Sequence, residues 1–92
     1  MPQFLGQNPD EVDTFAGELT ESARVLEGII ALVDSRLRDT TWVGSDRTRF
    51  EGQWVGLQAA QLADIALSLA TAASVAGANA AEQRVETDEL YR

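Results

Sequence analysis

Trp42, Val43 and Gly44 divide the chain near its middle, between two long segments of helical pattern. Nothing else in the sequence constrains the fold as strongly. Two helices of similar length joined by a short connection must lie antiparallel as neighbours. No sustained alternation of apolar and polar residues and no Asn-Gly or Asp-Gly turn competes with that reading. The pattern therefore predicts an all-α antiparallel hairpin, a single domain over residues 1–92.

The first helix is expected over 9–39. Asn8 can cap it, Pro9 suits the first helical position, and Glu11 completes an approximate capping box. Asp10, Glu11 and Asp13 fall where the helix dipole favours negative charge, and Arg36 and Arg38 where it favours positive. The apolar series Val12, Phe15, Leu19, Ala23, Leu26, Ile30, Val33 and Leu37 advances in steps of three and four, which keeps it on one stripe. Val12, Leu19, Leu26 and Val33 recur every seven residues, as in a shallow coiled coil.

A reversal is expected over 40–45, with Gly44 supplying backbone freedom and Ser45 capping the second helix. That helix is expected over 46–84, followed by a frayed tail over 85–92. Its stripe reads Phe50, Trp54, Leu57, Gln61, Ile65, Leu69, Ala72 and Ala76, broadened by Leu62. The predicted hairpin core is thus Val12, Phe15, Leu19, Leu26, Ile30, Val33, Leu37, Phe50, Trp54, Leu57, Leu62, Ile65 and Leu69.

These stripes are wider than one helix–helix seam can cover. Burying a large aliphatic side chain is worth about 1.5–3 kcal/mol, so a lone hairpin would leave much of that unrealised. The expected remedy is dimerisation into a four-helix bundle. Gly52 and Gly56, four residues apart, with Gly17, Gly28 and Gly77, read as points where helix backbones approach closely. Val25 and Leu32 lie seven apart, opposite the main stripe of the first helix, and read as isolated surface residues.

Composition removes several function classes. The chain has no Cys and no His, so thiol nucleophiles, His-based triads, zinc fingers and His-ligated metals are all excluded. No metal, cofactor or catalytic constellation is expected, and the glycines form no phosphate-binding loop. The net charge of −8 opposes binding to nucleic acid or to an anionic membrane surface. Residues 10–27 carry Asp10, Glu11, Asp13, Glu18, Glu21 and Glu27 against Arg24 alone, so one end of the rod is acidic. The uncharged run Ile65–Ala81 is Ala-rich with interspersed polar residues and reads as packed helix rather than a stable membrane insertion. Met1–Gln7 has neither the basic nor the apolar region of a classical signal peptide.

Two helices, a central Trp42-x-Gly44 turn, about a hundred acidic residues without Cys, and the early second-helix aromatics Phe50 and Trp54 together resemble the WXG family. These are the small, early-secreted-antigen-like substrates of type VII secretion. The resemblance covers nearly the whole chain. It implies export as a folded dimer, without a cleaved signal peptide, from actinobacteria or other Gram-positive bacteria. It implies as partners a second WXG-family hairpin and the secretion ATPase. Members that carry the export signal have Tyr-x-x-x-Asp/Glu after the second helix, whereas here Tyr91 is followed only by Arg92. The expectation is a heterodimer, favoured over a homodimer, in which the partner supplies that signal. Within the resemblance, Trp42 and Gly44 would form part of a docking site for the ATPase. Trp42 is also expected to fill the space where the helices diverge, its indole N–H on a turn carbonyl. The alternatives from other classes are an intracellular helical adaptor or chaperone-like subunit, and a targeting module for a separate toxin.

Overall fold

A computed structural model of the chain describes residues 8–90, with side chains described over 8–86. Expectations concerning Met1–Gln7, Tyr91 and Arg92 fall outside the described residues. The fold is a two-helix antiparallel hairpin, a thin rod of 70 × 20 × 14 Å. Helix α1 spans Pro9–Asp39; α2 spans Ser45–Gln53 and passes through a π turn, Trp54–Gln58, into α3, Ala59–Leu90.

Helix α1 starts as its sequence requires. Asn8 Oδ1 accepts hydrogen bonds from the backbone N–H groups of Asp10 (2.9 Å) and Glu11 (3.3 Å), satisfying two donors that the first turn leaves free. The second arm departs from expectation at both ends. Its N-cap is Gly44, without a side-chain cap, and Ser45 is already the first helical residue. At the other end the helix continues to Leu90, past the expected stop at Arg84.

The seam between the arms is built of alanine. The buried apolar residues are Ala16, Ala23, Ala66, Ala73 and Ala80, with Trp54 as the one large side chain among them. Ala16 and Ala23 are seven apart, and their row continues through Ile30 and Leu37. Ala59, Ala66, Ala73 and Ala80 form the facing row, again at intervals of seven. Half-buried Val12, Leu19, Leu26 and Val33 flank the first row, and Leu62, Leu69 and Ala76 flank the second. This is the heptad geometry of a shallow coiled coil, with small residues at its centre. Arg84 sets the register by bonding Asp10 (2.7 Å) and pairing with Asp13 (3.7 Å), which brings Ala80 level with Ala16.

Phe15, Leu57 and Ile65, expected in the core, are instead about half exposed. The second-arm stripe had been placed on its largest residues, but the seam takes the smallest ones, because small side chains let the helix axes come close. The glycines are not the points of close approach: a Cβ at Gly17, Gly28, Gly52, Gly56 or Gly77 would meet nothing within 4 Å.

The π turn explains the rest of the register. Inward positions run Arg47, Phe50, Trp54, then Ala59, Leu62, Ala66, Leu69 and Ala73. Every step is three or four residues except the step of five from Trp54 to Ala59. At that step the Ala59 N–H donates to the Trp54 carbonyl, an i to i+5 bond. One inserted residue keeps Trp54 and the alanine row facing the same partner.

Two stability effects of opposite sign follow. Ala73→Leu should overpack the seam and cost about 1–3 kcal/mol, whereas Ala81→Leu, on an exposed row, should be close to neutral. Gly28→Ala, in a helix interior with open space around it, should raise stability by about 0.4–1 kcal/mol. Urea unfolding followed by circular dichroism at one fixed protein concentration measures all three.

Candidate functional site

The turn begins where Thr40 leaves the helix in extended conformation, its N–H still donating to the Arg36 carbonyl at 2.9 Å. Gly44 lies at φ 114°, a conformation that L side chains rarely adopt, so Gly is required here. Its carbonyl accepts from the Thr48 N–H at 3.1 Å and the Thr48 hydroxyl at 3.2 Å. Arg47 Nη1 donates to the Trp42 carbonyl at 2.8 Å and its Nε pairs with Glu51 at 3.3 Å, fixing the loop onto the first turns of α2.

Three aromatic rings stand in a row beneath this turn. Trp42 and Phe50 have centroids 5.9 Å apart at a 42° tilt, and Phe50 stacks on Trp54 at 6.4 Å with 3° between planes. Both separations lie in the range where ring pairs add to simple burial. The two tryptophans have different roles. Trp54 is buried, and its indole N–H donates to Asp34 Oδ1 at 2.7 Å, tying α1 to the second arm. The anchoring role expected of Trp42 therefore belongs to Trp54. Trp42 is 38% exposed and forms the outer wall of an apolar groove of about 290 Å³. Leu32, Val33, Leu37, Thr40 and Phe50 complete the groove, and Arg36 is its one charged residue.

This groove opens onto one lateral side of the rod. Phe15, Ser22, Ile29 and Arg36 each recur seven residues apart, one position before the seam row of α1. Ile65 and Ala72 stand one position before the seam row of α3. In an antiparallel pair these two rows fall on the same side of the hairpin. The rows on the opposite side hold Asp13, Asp34 and Arg84, where the Arg84 pairing and the Trp54 bond to Asp34 are found. Val25 and Leu32 adjoin Ile29, and Leu57 and Val75 extend the row of Ile65. Phe15, Val25, Ile29, Leu32, Leu57, Ile65 and Val75 are 42–56% exposed and compose one face. Val25 and Leu32 are thus not isolated. Among the described residues no large side chain is fully buried.

Charge divides that face lengthwise. Glu11, Glu18, Glu82 and Glu86 lie at the end where the arms begin and finish, and Arg36 lies at the turn. Hydrogen bonding to Asp10 is the main cause holding the Arg84 guanidinium above its ordinary pKa, with the charges of Asp13 and Asp10 acting in the same direction. A raised cation pKa stabilises the fold fully at any pH below the ordinary arginine value, so this link should not vary across the working range. Exposed as it is, it should weaken with salt.

Of the thirteen expected core residues, the structure buries Trp54, half-buries Val12, Leu19, Leu26, Ile30, Val33, Leu37, Phe50, Leu62 and Leu69, and places Phe15, Leu57 and Ile65 on the open face. The missed alanines were marked by their seven-residue spacing. The stretch Ser45–Glu86 is also long and apolar enough to cross a membrane by length and composition, with mean hydropathy 1.4 and 11% of that window buried. No family model, curated protein or solved structure matches the chain. Its class is therefore set by geometry: a helical hairpin with one large unpartnered apolar face.

The different roles of the two tryptophans can be measured. Trp54→Ala should cost about 3–5 kcal/mol as a buried aromatic is lost, while Trp42→Ala should cost about 1 kcal/mol, the worth of one exposed ring pair. Trp54→Phe should cost about 1 kcal/mol by removing the donor to Asp34. Chemical denaturation read at 222 nm would rank them.

Proposed function

We propose that this chain is a WXG-type substrate of type VII secretion that acts by protein–protein interaction, paired with a second hairpin as a folded four-helix bundle. The observation that carries this reading is the lateral apolar face, half exposed along the rod while the seam is filled by alanine. Large side chains on such a face gain most when a second pair of helices covers them. The Trp42–Gly44 reversal, with Gly44 at positive φ and the ring row beneath it, supports the resemblance to that family.

On this reading Trp42 is free to serve recognition because Trp54 carries the packing. Its exposed edge, the adjoining groove and Arg36 would form the half of a docking site that this hairpin supplies to the secretion ATPase. The partner hairpin would bring the Tyr-x-x-x-Asp/Glu signal, and the dimer would leave the cell together.

Co-expression in a Gram-positive host with a type VII system tests the proposal. The chain should reach the medium with a signal-bearing hairpin and stay in the cell without one; secretion of the chain alone would overturn dependence on a partner. Trp42→Ala should preserve the melting temperature of the pair and abolish ATPase binding. Unchanged binding by that variant would remove Trp42 from the docking site.

A further inference from the structure

We infer that, in the absence of another hairpin, the exposed face closes on a second copy of this chain, antiparallel, with Phe15 of each copy seated in the turn-end groove of the other. The inference rests on the pairing role proposed above, not on export. Three observations carry it. Phe15 is a large aromatic, 56% exposed, on the same row of α1 as Arg36 and exactly three heptads before it. The groove beside Arg36 is apolar, about 290 Å³, and walled by Leu32, Val33, Leu37, Trp42 and Phe50. Glu18, one turn beyond Phe15, and Arg36 form no ion pair among the described residues.

Symmetry then fixes the arrangement. A two-fold contact is isologous: if Phe15 meets the groove of the second copy, the second copy's Phe15 meets this one. The axis must lie midway between Phe15 and the groove residues near 35, which places it at Val25. That residue is itself exposed on the same face. An axis across the rod in the plane of the face sets α1 against α1 and α3 against α3, each antiparallel. Arg36 then lies beside the second copy's Glu18. The other face-to-face arrangement, with the rods parallel, sets α1 against α3 at the same end. It would bring Glu11 and Glu18 against Glu82 and Glu86, a like-charge contact with no compensating cation. Charge therefore selects the antiparallel dimer, and the apolar centre of the face supplies its affinity.

The chain has no Cys, so single introduced cysteines report cleanly. Nitroxide labels on Thr40→Cys should lie about 45 Å apart in the antiparallel dimer, from fifteen residues of helical rise on each side of the axis. In a parallel dimer they would lie on the order of 10 Å apart, the spacing of packed helices. The chain alone should elute as a dimer by light scattering, and Val25→Cys should cross-link to itself with a short bismaleimide. Phe15→Glu, at a position exposed in the hairpin, should keep the helical content and yield a monomer. Arg36→Glu should weaken the dimer about tenfold, and Glu18→Arg in the same chain should restore it. A monomer at 100 μM, labels at the short distance, or a dimer untouched by Phe15→Glu would overturn the inference. Because no secretion partner is present, such a result would leave co-export to be judged by its own experiment.

Discussion

The close approach of two alanine rows determines almost everything else about this molecule. Ala16 and Ala23 on one arm face Ala66, Ala73 and Ala80 on the other, and these small side chains are the ones the hairpin buries. A seam of this kind is thin. It draws the helix axes together, gains little hydrophobic energy per residue, and pushes larger side chains to its edges. The large aliphatics are therefore half-buried at the margin or displayed on one side. A hairpin built this way is well defined in register and poorly supplied with core, which is the combination expected of a part made for a larger assembly.

The two ends of the rod are held by different interactions. At the open end Arg84 reaches across to Asp10 and Asp13, an exposed link that sets register more than it adds stability. At the turn, the Trp54 bond to Asp34 is partly buried and the ring row stiffens what lies around it. The π turn makes the second arrangement compatible with the alanine seam. Without its additional residue, Trp54 and Ala66 could not both face α1 along one continuous helix. A local irregularity of the backbone thus joins two packing schemes, small-residue along the rod and aromatic at its tip.

This division leaves the tip with a surface that the fold does not consume. Trp54 and Phe50 support the turn from within, so Trp42 can stand half exposed beside an apolar groove with one cation at its edge. The groove joins the lateral face without a break, and together they form a single surface running from the turn toward the acidic end. Apolar area would give affinity to a partner there, and the lengthwise division of charge would give it direction.

By itself the sequence determined the architecture. Asn8 and Pro9 mark where α1 begins, Asp39 and the two threonines mark where it ends, and Gly44 marks the reversal, because caps and turn residues act locally and need no partner to be read. The absence of His and Cys was equally legible in what it excludes. Only the tertiary structure decided which face is the seam. Phe15, Leu57 and Ile65 were read as core because large apolar residues usually are, and the alanines were overlooked because their hydrophobic signal is small. The π turn was also hidden, since one added residue changes the phase of a helix without leaving a distinctive composition. The two tryptophans exchanged their expected roles for the same reason. Whether an indole is buried depends on which helix face meets the other arm, and that is settled by packing across the hairpin, not by the neighbours along the chain.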